Sequence, residues 1–237
     1  RGCEDAVTTL LKEKNVAYRF EDKTNHGRPI SVHFNGELRE NQQEAVNTLA
    51  MNNTGVLSAT TAFGKTVAAI GLIAKHSVNT LILVHTKALL DQWVQRIEQF
   101  LAIDEVLELE EGKRKRKKGL SPIGILSSTG NKLHGIIDIA LMQSCMTDGE
   151  VKPFVKDYGL VIADECHHVS AVSFEQILKA VNARYVYGLT ATPIRKDGHQ
   201  PIIFMQCGPI RYNADAKAQM RDQTFQRLLV PRFTPFR

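Results

Sequence analysis

The chain has 237 residues, 43% of them hydrophobic and 23% charged, the balance of a globular protein long enough for one large domain or two small ones. No apolar run reaches the roughly 18–20 residues of a membrane-spanning helix, so no membrane association is expected, and the opening Arg1-Gly2-Cys3-Glu4 is neither a signal peptide nor an initiator, so the chain reads as a piece of a longer protein. The net charge is +5, yet the single run Lys113–Lys118 carries six positive charges, so the basicity is local and not a property of the whole surface.

In chain order, Cys3–Lys14 has the pattern of a helix, and Val16–Phe20 and Ile30–Phe34 those of short strands, with Asn25-His26-Gly27-Arg28-Pro29 turning between them. This region, 1–36, reads as a small N-terminal appendage or the tail of a preceding domain. From 37 to 213 short apolar runs alternate with helical patterns. Gly55–Ala59 is expected as a strand, and Val67–His76 as a helix with Val67, Ile70, Ile73 and Ala74 on its apolar side. Thr80–His85 follows as a strand, then Ala88–Leu101 as an amphipathic helix carrying Leu89, Trp93, Ile97 and Leu101, where Trp93 is expected in the core. Ile123–Leu126, Ile136–Leu141, Gly159–Ala163 and Tyr185–Leu189 are further strands, with a helix over Phe174–Val181 between the last two. Strands that are apolar throughout are buried on both faces, and their alternation with helices implies crossover connections and a mainly parallel sheet. The expected fold is therefore a doubly wound α/β domain, whose ligands bind beyond the carboxyl ends of the strands. Residues 214–237, ending VPRFTPFR, read as an exit linker.

The four cysteines, Cys3, Cys145, Cys166 and Cys207, are scattered and form no C-x-x-C pair, which suits a reducing, cytoplasmic setting. His167 and His168 are adjacent and have no third His or Cys ligand nearby in sequence, so no structural zinc is expected. The basic run follows an acidic stretch, Asp104, Glu105, Glu108, Glu110 and Glu111. It reads either as a solvated loop with compensating halves or as a hairpin that contacts nucleic-acid phosphates.

The segment Ser58–Val67, SATTAFGKTV, ends like a phosphate-binding loop but has Ala59 where the usual pattern begins with glycine. A methyl group is tolerable there if φ is negative. The context is strand, loop, helix. Gly64 would supply the last turn of the loop, Lys65 would reach the β- and γ-phosphates, and the Thr66 hydroxyl would hold Mg²⁺. Downstream, Leu160-Val161-Ile162-Ala163-Asp164-Glu165 is an apolar strand ending in two carboxylates. Buried adjacent acids are costly unless something accounts for them, and a metal does: Asp164 would hold Mg²⁺, and Glu165 would orient and deprotonate an attacking water.

Together these residues make a family visible. Asp164-Glu165-Cys166-His167 resembles the DEAH/DEXH box of superfamily 2 helicases and translocases, and further motifs of their first RecA-like domain follow in the family's order. Leu38-Arg39-Glu40-Asn41-Gln42 resembles the segment that reads adenine, and Ser58–Thr66 the phosphate loop, whose leading residue in this family is often not glycine. His85-Thr86-Lys87-Ala88-Leu89 resembles motif Ia, and Asp138–Ser144 the motif after it, with Leu141 in place of a threonine. Gly188-Leu189-Thr190-Ala191-Thr192-Pro193 resembles motif III, and its continuation resembles the branch of repair helicases and restriction-type translocases. The resemblance covers Leu38 to Tyr212. It implies a RecA-like P-loop NTPase domain with a mainly parallel central sheet flanked by helices, acting with ATP and Mg²⁺.

By the same resemblance Gln42 would bind the adenine edge, with Gln43 the competing candidate, and Arg39 would pack on the base. Thr61, Ala62, Phe63 and Gly64 would cradle phosphates through backbone N–H groups. His167 would link the nucleotide to motif III, where Thr190 and Thr192 would couple hydrolysis to movement or cap the turn before Pro193. Thr86, Lys87 and Gln143 would touch the sugar-phosphate backbone of nucleic acid, DNA in preference to RNA. Arg195 and Lys196 are either further basic contacts or solvated loop residues. A second RecA-like domain of the same parent chain would complete the ATP site, so this portion alone is expected to bind ATP weakly and hydrolyse it slowly, if at all. A nucleotide-binding switch, or a binding module acting through the basic run, is the alternative; nucleic-acid-dependent hydrolysis separates them from a motor.

Overall fold

The apolar runs that punctuate the sequence become the strands of one sheet. The computed structural model describes residues 2–105, 121–128, 130–166, 171–191 and 200–214. Its elements, in chain order, are α1 (Glu4–Glu13), β1 (Val32–Phe34), α2 (Glu40–Ala50), β2 (Thr54–Ser58), α3 (Lys65–His76), β3 (Thr80–Val84), α4 (Lys87–Phe100), β4 (Leu101–Ile103), β5 (Ile123–Ser127), β6 (Gly130–Lys132) and β7 (Ile137–Leu141). After these come β8 (Met146–Thr147), β9 (Glu150–Val151), β10 (Leu160–Ala163), α5 (Ala171–Ala180), β11 (Tyr185–Thr190), α6 (Gln200–Cys207) and β12 (Ile210–Asn213).

The main sheet has eight strands among the described residues, in the order β12-β2-β11-β10-β3-β7-β5-β6. Every neighbouring pair from β12 to β5 is parallel, and only β6 runs antiparallel, as the hairpin partner of β5. Strands β2, β3 and β10 are buried at every position, the reason their sequences are apolar without alternation. Successive side chains point to opposite faces. Thus Leu57, Ile82 and Ile162 join a core with Leu49, Ile73 and Trp93 of α2, α3 and α4, while Val56, Leu81 and Val161 join a second core with Phe174 and Ile177 of α5 and Ile203 of α6. Helices therefore cover both faces, as expected for this architecture. Among the described residues no helix is long and apolar enough to cross a membrane.

Differences from the sequence reading have local causes. Val16–Phe20 is not a strand: among the described residues no strand pairs with it, and Val16, Tyr18 and Phe20 stay 49%, 40% and 55% exposed. Leu101 leaves the helix and opens β4, its backbone turning extended at φ −131°, ψ 120°. That strand pairs antiparallel with β1, and the rings of Phe34 and Phe100 stack 6.0 Å apart beside it. The chain before β1 is tied down as well: Arg28 N–H donates to Asn79 Oδ1 at 2.9 Å, and Ile30, 5% exposed, lies in the first core. Of the acidic stretch, Glu105 pairs with Arg28 at 3.2 Å and accepts from Ser31 N–H at 2.7 Å. The basic run Lys113–Lys118 lies outside the described residues.

Candidate active site

The loop after β2 is shaped by one glycine. Gly64 takes φ 80° between the short 3₁₀ turn Thr61–Phe63 and the start of α3. A Cβ there would meet Gln42 Nε2 at 2.7 Å and Arg39 Nη2 at 3.3 Å, so both the backbone conformation and the space require glycine. Ala59 needs no such freedom. Among the described residues the non-glycine positions with positive φ are Asn15, Ser77, Asp148 and Glu165. The missing first glycine therefore costs no strain. Ala59 is 2% exposed, its N–H donates to Thr190 O at 3.0 Å, and its carbonyl accepts from Lys65 Nζ at 3.1 Å.

Lys65, at the first turn of α3, is 6% exposed and reaches across the cleft to Glu165 Oε1 at 3.5 Å. Glu165 follows β10 with φ 46°, a left-handed conformation that a side-chain-bearing residue seldom adopts and that recurs at functional sites. Asp164, beside it, is 3% exposed. Its Oδ1 accepts from the Glu165 N–H at 2.9 Å and its Oδ2 from the Trp93 indole N–H at 2.7 Å. Burial raises the Asp164 carboxyl above its ordinary value; the Trp93 indole opposes that rise, the charge of Glu165 adds to it, and Lys65 opposes it again.

These groups line a cleft of about 460 Å³ together with Arg39, Gln42, Thr61, Gly64 and Thr66. Gln42, 4% exposed, accepts from Arg39 N–H at 3.1 Å and donates to Phe63 O at 2.8 Å, which leaves one donor and one acceptor on its amide. Gln43 is exposed, bonds Asn47 Oδ1 at 3.2 Å and lines the neighbouring hollow, so of the two it is Gln42 that lines this cleft. The Arg39 guanidinium grips the loop carbonyls of Phe63 and, at 3.5 Å, Ala62. The Phe63 N–H closes the 3₁₀ turn on Thr60 O at 3.2 Å, and Phe63 is 1% exposed in the core.

Helix α4 supplies a wall that the sequence reading missed: Leu89, Gln92, Arg96 and Phe100 line the same cleft. Their helical spacing could have been read as a second face beside the buried stripe of Leu90, Trp93 and Ile97. Trp93 is in the core as expected, but its bond to Asp164 joins residues 71 apart and left no local signal.

The expected nucleic-acid residues meet on one rim at the carboxyl ends of β3 and β7. The Thr86 hydroxyl caps α4 by accepting from Leu89 N–H at 3.3 Å. Lys87 Nζ is exposed, 3.4 Å from Asp91, and Gln143 Nε2 donates to His85 O at 3.4 Å. Thr190 ends β11 fully buried next to Ala59. His167 and Thr192, like His168, Arg195 and Lys196, lie outside the described residues.

Residues 35–195 match the family model described as "Type III restriction enzyme, res subunit". Protein 109L of Invertebrate iridescent virus 3, whose name places it among helicases, is 34% identical over 74% of this chain and 51% of its own length. The DNA 3'-5' translocase XPB2 of Sulfurisphaera tokodaii is 31% identical over 74% of this chain and 35% of its own. The chain thus spans about half the length, or less, of these relatives. The crystal structure of the UvsW helicase from Bacteriophage T4 aligns with a TM-score of 0.61 over 88% of this chain and 77% of that one; at 15% identity the likeness carries the fold alone.

Proposed function

The chain belongs to the family of the type III restriction enzyme res subunit, a superfamily 2 RecA-like motor domain, and on that premise we propose that it binds ATP with Mg²⁺ and couples its hydrolysis to movement along nucleic acid. The observation that carries this reading is one constellation in one cleft: Lys65 3.5 Å from Glu165, with Asp164, Gly64 and Thr66 around them. All of it stands beyond the carboxyl ends of parallel strands, where α/β sheets bind ligands.

The amino end of α3 and the Lys65 ammonium attract the phosphates. In the structure Lys65 is held by Glu165 and the Ala59 carbonyl, and with nucleotide bound it would turn to the phosphates instead. Arg39 and Gln42 hold the loop by its Phe63 carbonyl, and Gln42 keeps enough hydrogen-bonding capacity for the adenine edge. The Thr66 hydroxyl and the Asp164 carboxylate are hard oxygen donors of the kind magnesium prefers, and magnesium bound there would neutralise charge on the phosphates. Glu165 takes the proton of the attacking water. His167, Thr190 and Thr192 relay the state of the site to the nucleic-acid rim, where Thr86, Lys87 and Gln143 grip the backbone without reading sequence.

DNA is the favoured track, in line with the DNA named for the archaeal translocase. The relatives' greater length leaves room for a second RecA-like domain to close the cleft. The linker from 214 is the corresponding boundary in this proposal, and the segment just before 36 goes with the motor domain, since Ile30 lies in its core and β1 pairs with β4. Four free thiols suit a cytoplasmic setting. Translocation without strand separation is the second reading, favoured by the restriction-enzyme family match.

Titration with a fluorescent ATP analogue and Mg²⁺ tests the site. Saturable binding is expected, weakened about tenfold or more by Lys65→Ala, the worth of a charge-assisted contact. Equal binding by wild type and variant would refute the assignment.

A further inference from the structure

Trp93 and Asp164 are both sealed from solvent, at 0% and 3% exposure, and joined by a bond of 2.7 Å. An indole N–H can only donate, so the direction of this bond is fixed: Asp164 Oδ2 accepts. The other carboxylate oxygen is held by the Glu165 N–H at 2.9 Å. Two donors from two different elements therefore set the plane of one carboxylate. The helix that carries the indole is itself anchored, with Leu90 and Ile97 buried on the same stripe of α4. A phenylalanine or leucine would fill much of the same apolar space without offering a donor, so core packing alone does not account for tryptophan here.

We propose that Trp93 is a positioning residue for the magnesium site, its indole N–H fixing the Asp164 carboxylate in the orientation that meets the metal. The inference rests on the nucleotide reading above and adds a residue of α4 to it. Each oxygen of Asp164 keeps a lone pair beyond the one its donor occupies, and those are what magnesium or its bound waters would use. Outer partners that orient a ligand are worth about 10- to 100-fold in metal affinity.

The chain holds a single tryptophan, so its indole N–H gives one side-chain resonance in a ¹⁵N-labelled sample. That resonance is expected to move when Mg²⁺ is added with ADP and to stay in place with ADP in EDTA. In Trp93→Phe, the factor by which Mg²⁺ tightens ADP binding should fall about tenfold, while ADP affinity in EDTA stays within about twofold of wild type. A purely structural tryptophan would lower thermal stability and leave that factor unchanged. An unmoved resonance, or an unchanged factor in a folded variant, would overturn the proposal. Should Trp93→Phe fail to fold, the wild-type resonance decides alone. Absence of any Mg²⁺-dependent ADP binding by the wild type would instead remove the nucleotide reading, and this inference with it.

Discussion

Glu165 holds a left-handed backbone, of the kind that recurs at functional sites, and faces a buried lysine. Glu165→Gln is expected to keep ATP binding and lower turnover by at least about 100-fold, the usual worth of a general base; steady-state ATPase kinetics check it. Gly64→Ala forces an alanine to φ 80° and drives its methyl onto Gln42 Nε2. It should cost about 1–2 kcal/mol in urea denaturation and also weaken ATP-analogue binding, because the loop can relax only by moving the backbone that lines the cleft. At this scale the sequence was legible where partners are neighbours: Gly64-Lys65-Thr66 and Asp164-Glu165 declare themselves as short strings. The grip of Arg39 on the Phe63 carbonyl and the bond from Trp93 to Asp164 join residues far apart in the chain, and a string carries no trace of them.

Elements were legible where burial is two-sided. The strands β2, β3 and β10 and the helices α3 and α4 stand within a few residues of their expected bounds, since continuous or periodic apolarity reports burial directly. Leu101 shows where that signal ends. It extends the spacing of Trp93 and Ile97 and is buried, 5% exposed, yet it belongs to a strand, because the apolar stripe continues after the backbone has changed conformation. Val16–Phe20 shows the opposite case, strand-forming residues that pair with no strand among the described residues. Edge strand β12 is buried at no position and carries no alternation, and α6 is apolar without a clear face, so neither was anticipated. Between β5 and β7, Gly124 stands opposite Asp138, a fully buried acid that accepts from His134 N–H at 2.9 Å, Gly135 N–H at 2.7 Å and the Tyr158 hydroxyl. A Cβ at Gly124 would fall 1.8 Å from Asp138 Oδ1, whereas one at Gly130 would meet nothing within 4 Å. Gly124→Ala should therefore destabilise the protein by upwards of about 2 kcal/mol, and Gly130→Ala by almost nothing, in chemical denaturation.

For the whole molecule, His76 links the last turn of α3 to β11, its Nε2 2.9 Å from the Tyr187 hydroxyl and its ring 3.9 Å from that of Tyr185. Burial, with smaller contributions from the charges of Lys75 and Arg184, lowers its pKa from 6.5 to about 4. The folded protein thus holds His76 neutral in a range where the unfolded chain takes up a proton. The stability this contributes is complete above pH 6.5 and is lost as the pH falls from there towards 4. Across that window wild-type stability should drop more steeply than that of His76→Gln, measured by denaturation at each pH.

The sheet order explains why distant motifs act together. Strands β2, β11, β10, β3 and β7 are consecutive and parallel, so the phosphate loop, Thr190, Asp164-Glu165, Thr86-Lys87 and Gln143 all stand on one edge. In the proposed motor, that shared edge is what would let a nucleotide site and a track act together. The most direct test is ATP turnover by the parent polypeptide without polymer, then with single-stranded DNA, duplex DNA and RNA, each beside Glu165→Gln. The account predicts turnover stimulated by nucleic acid, DNA most strongly, and abolished in the variant. Turnover that ignores every polymer, or that survives in Glu165→Gln, would contradict it.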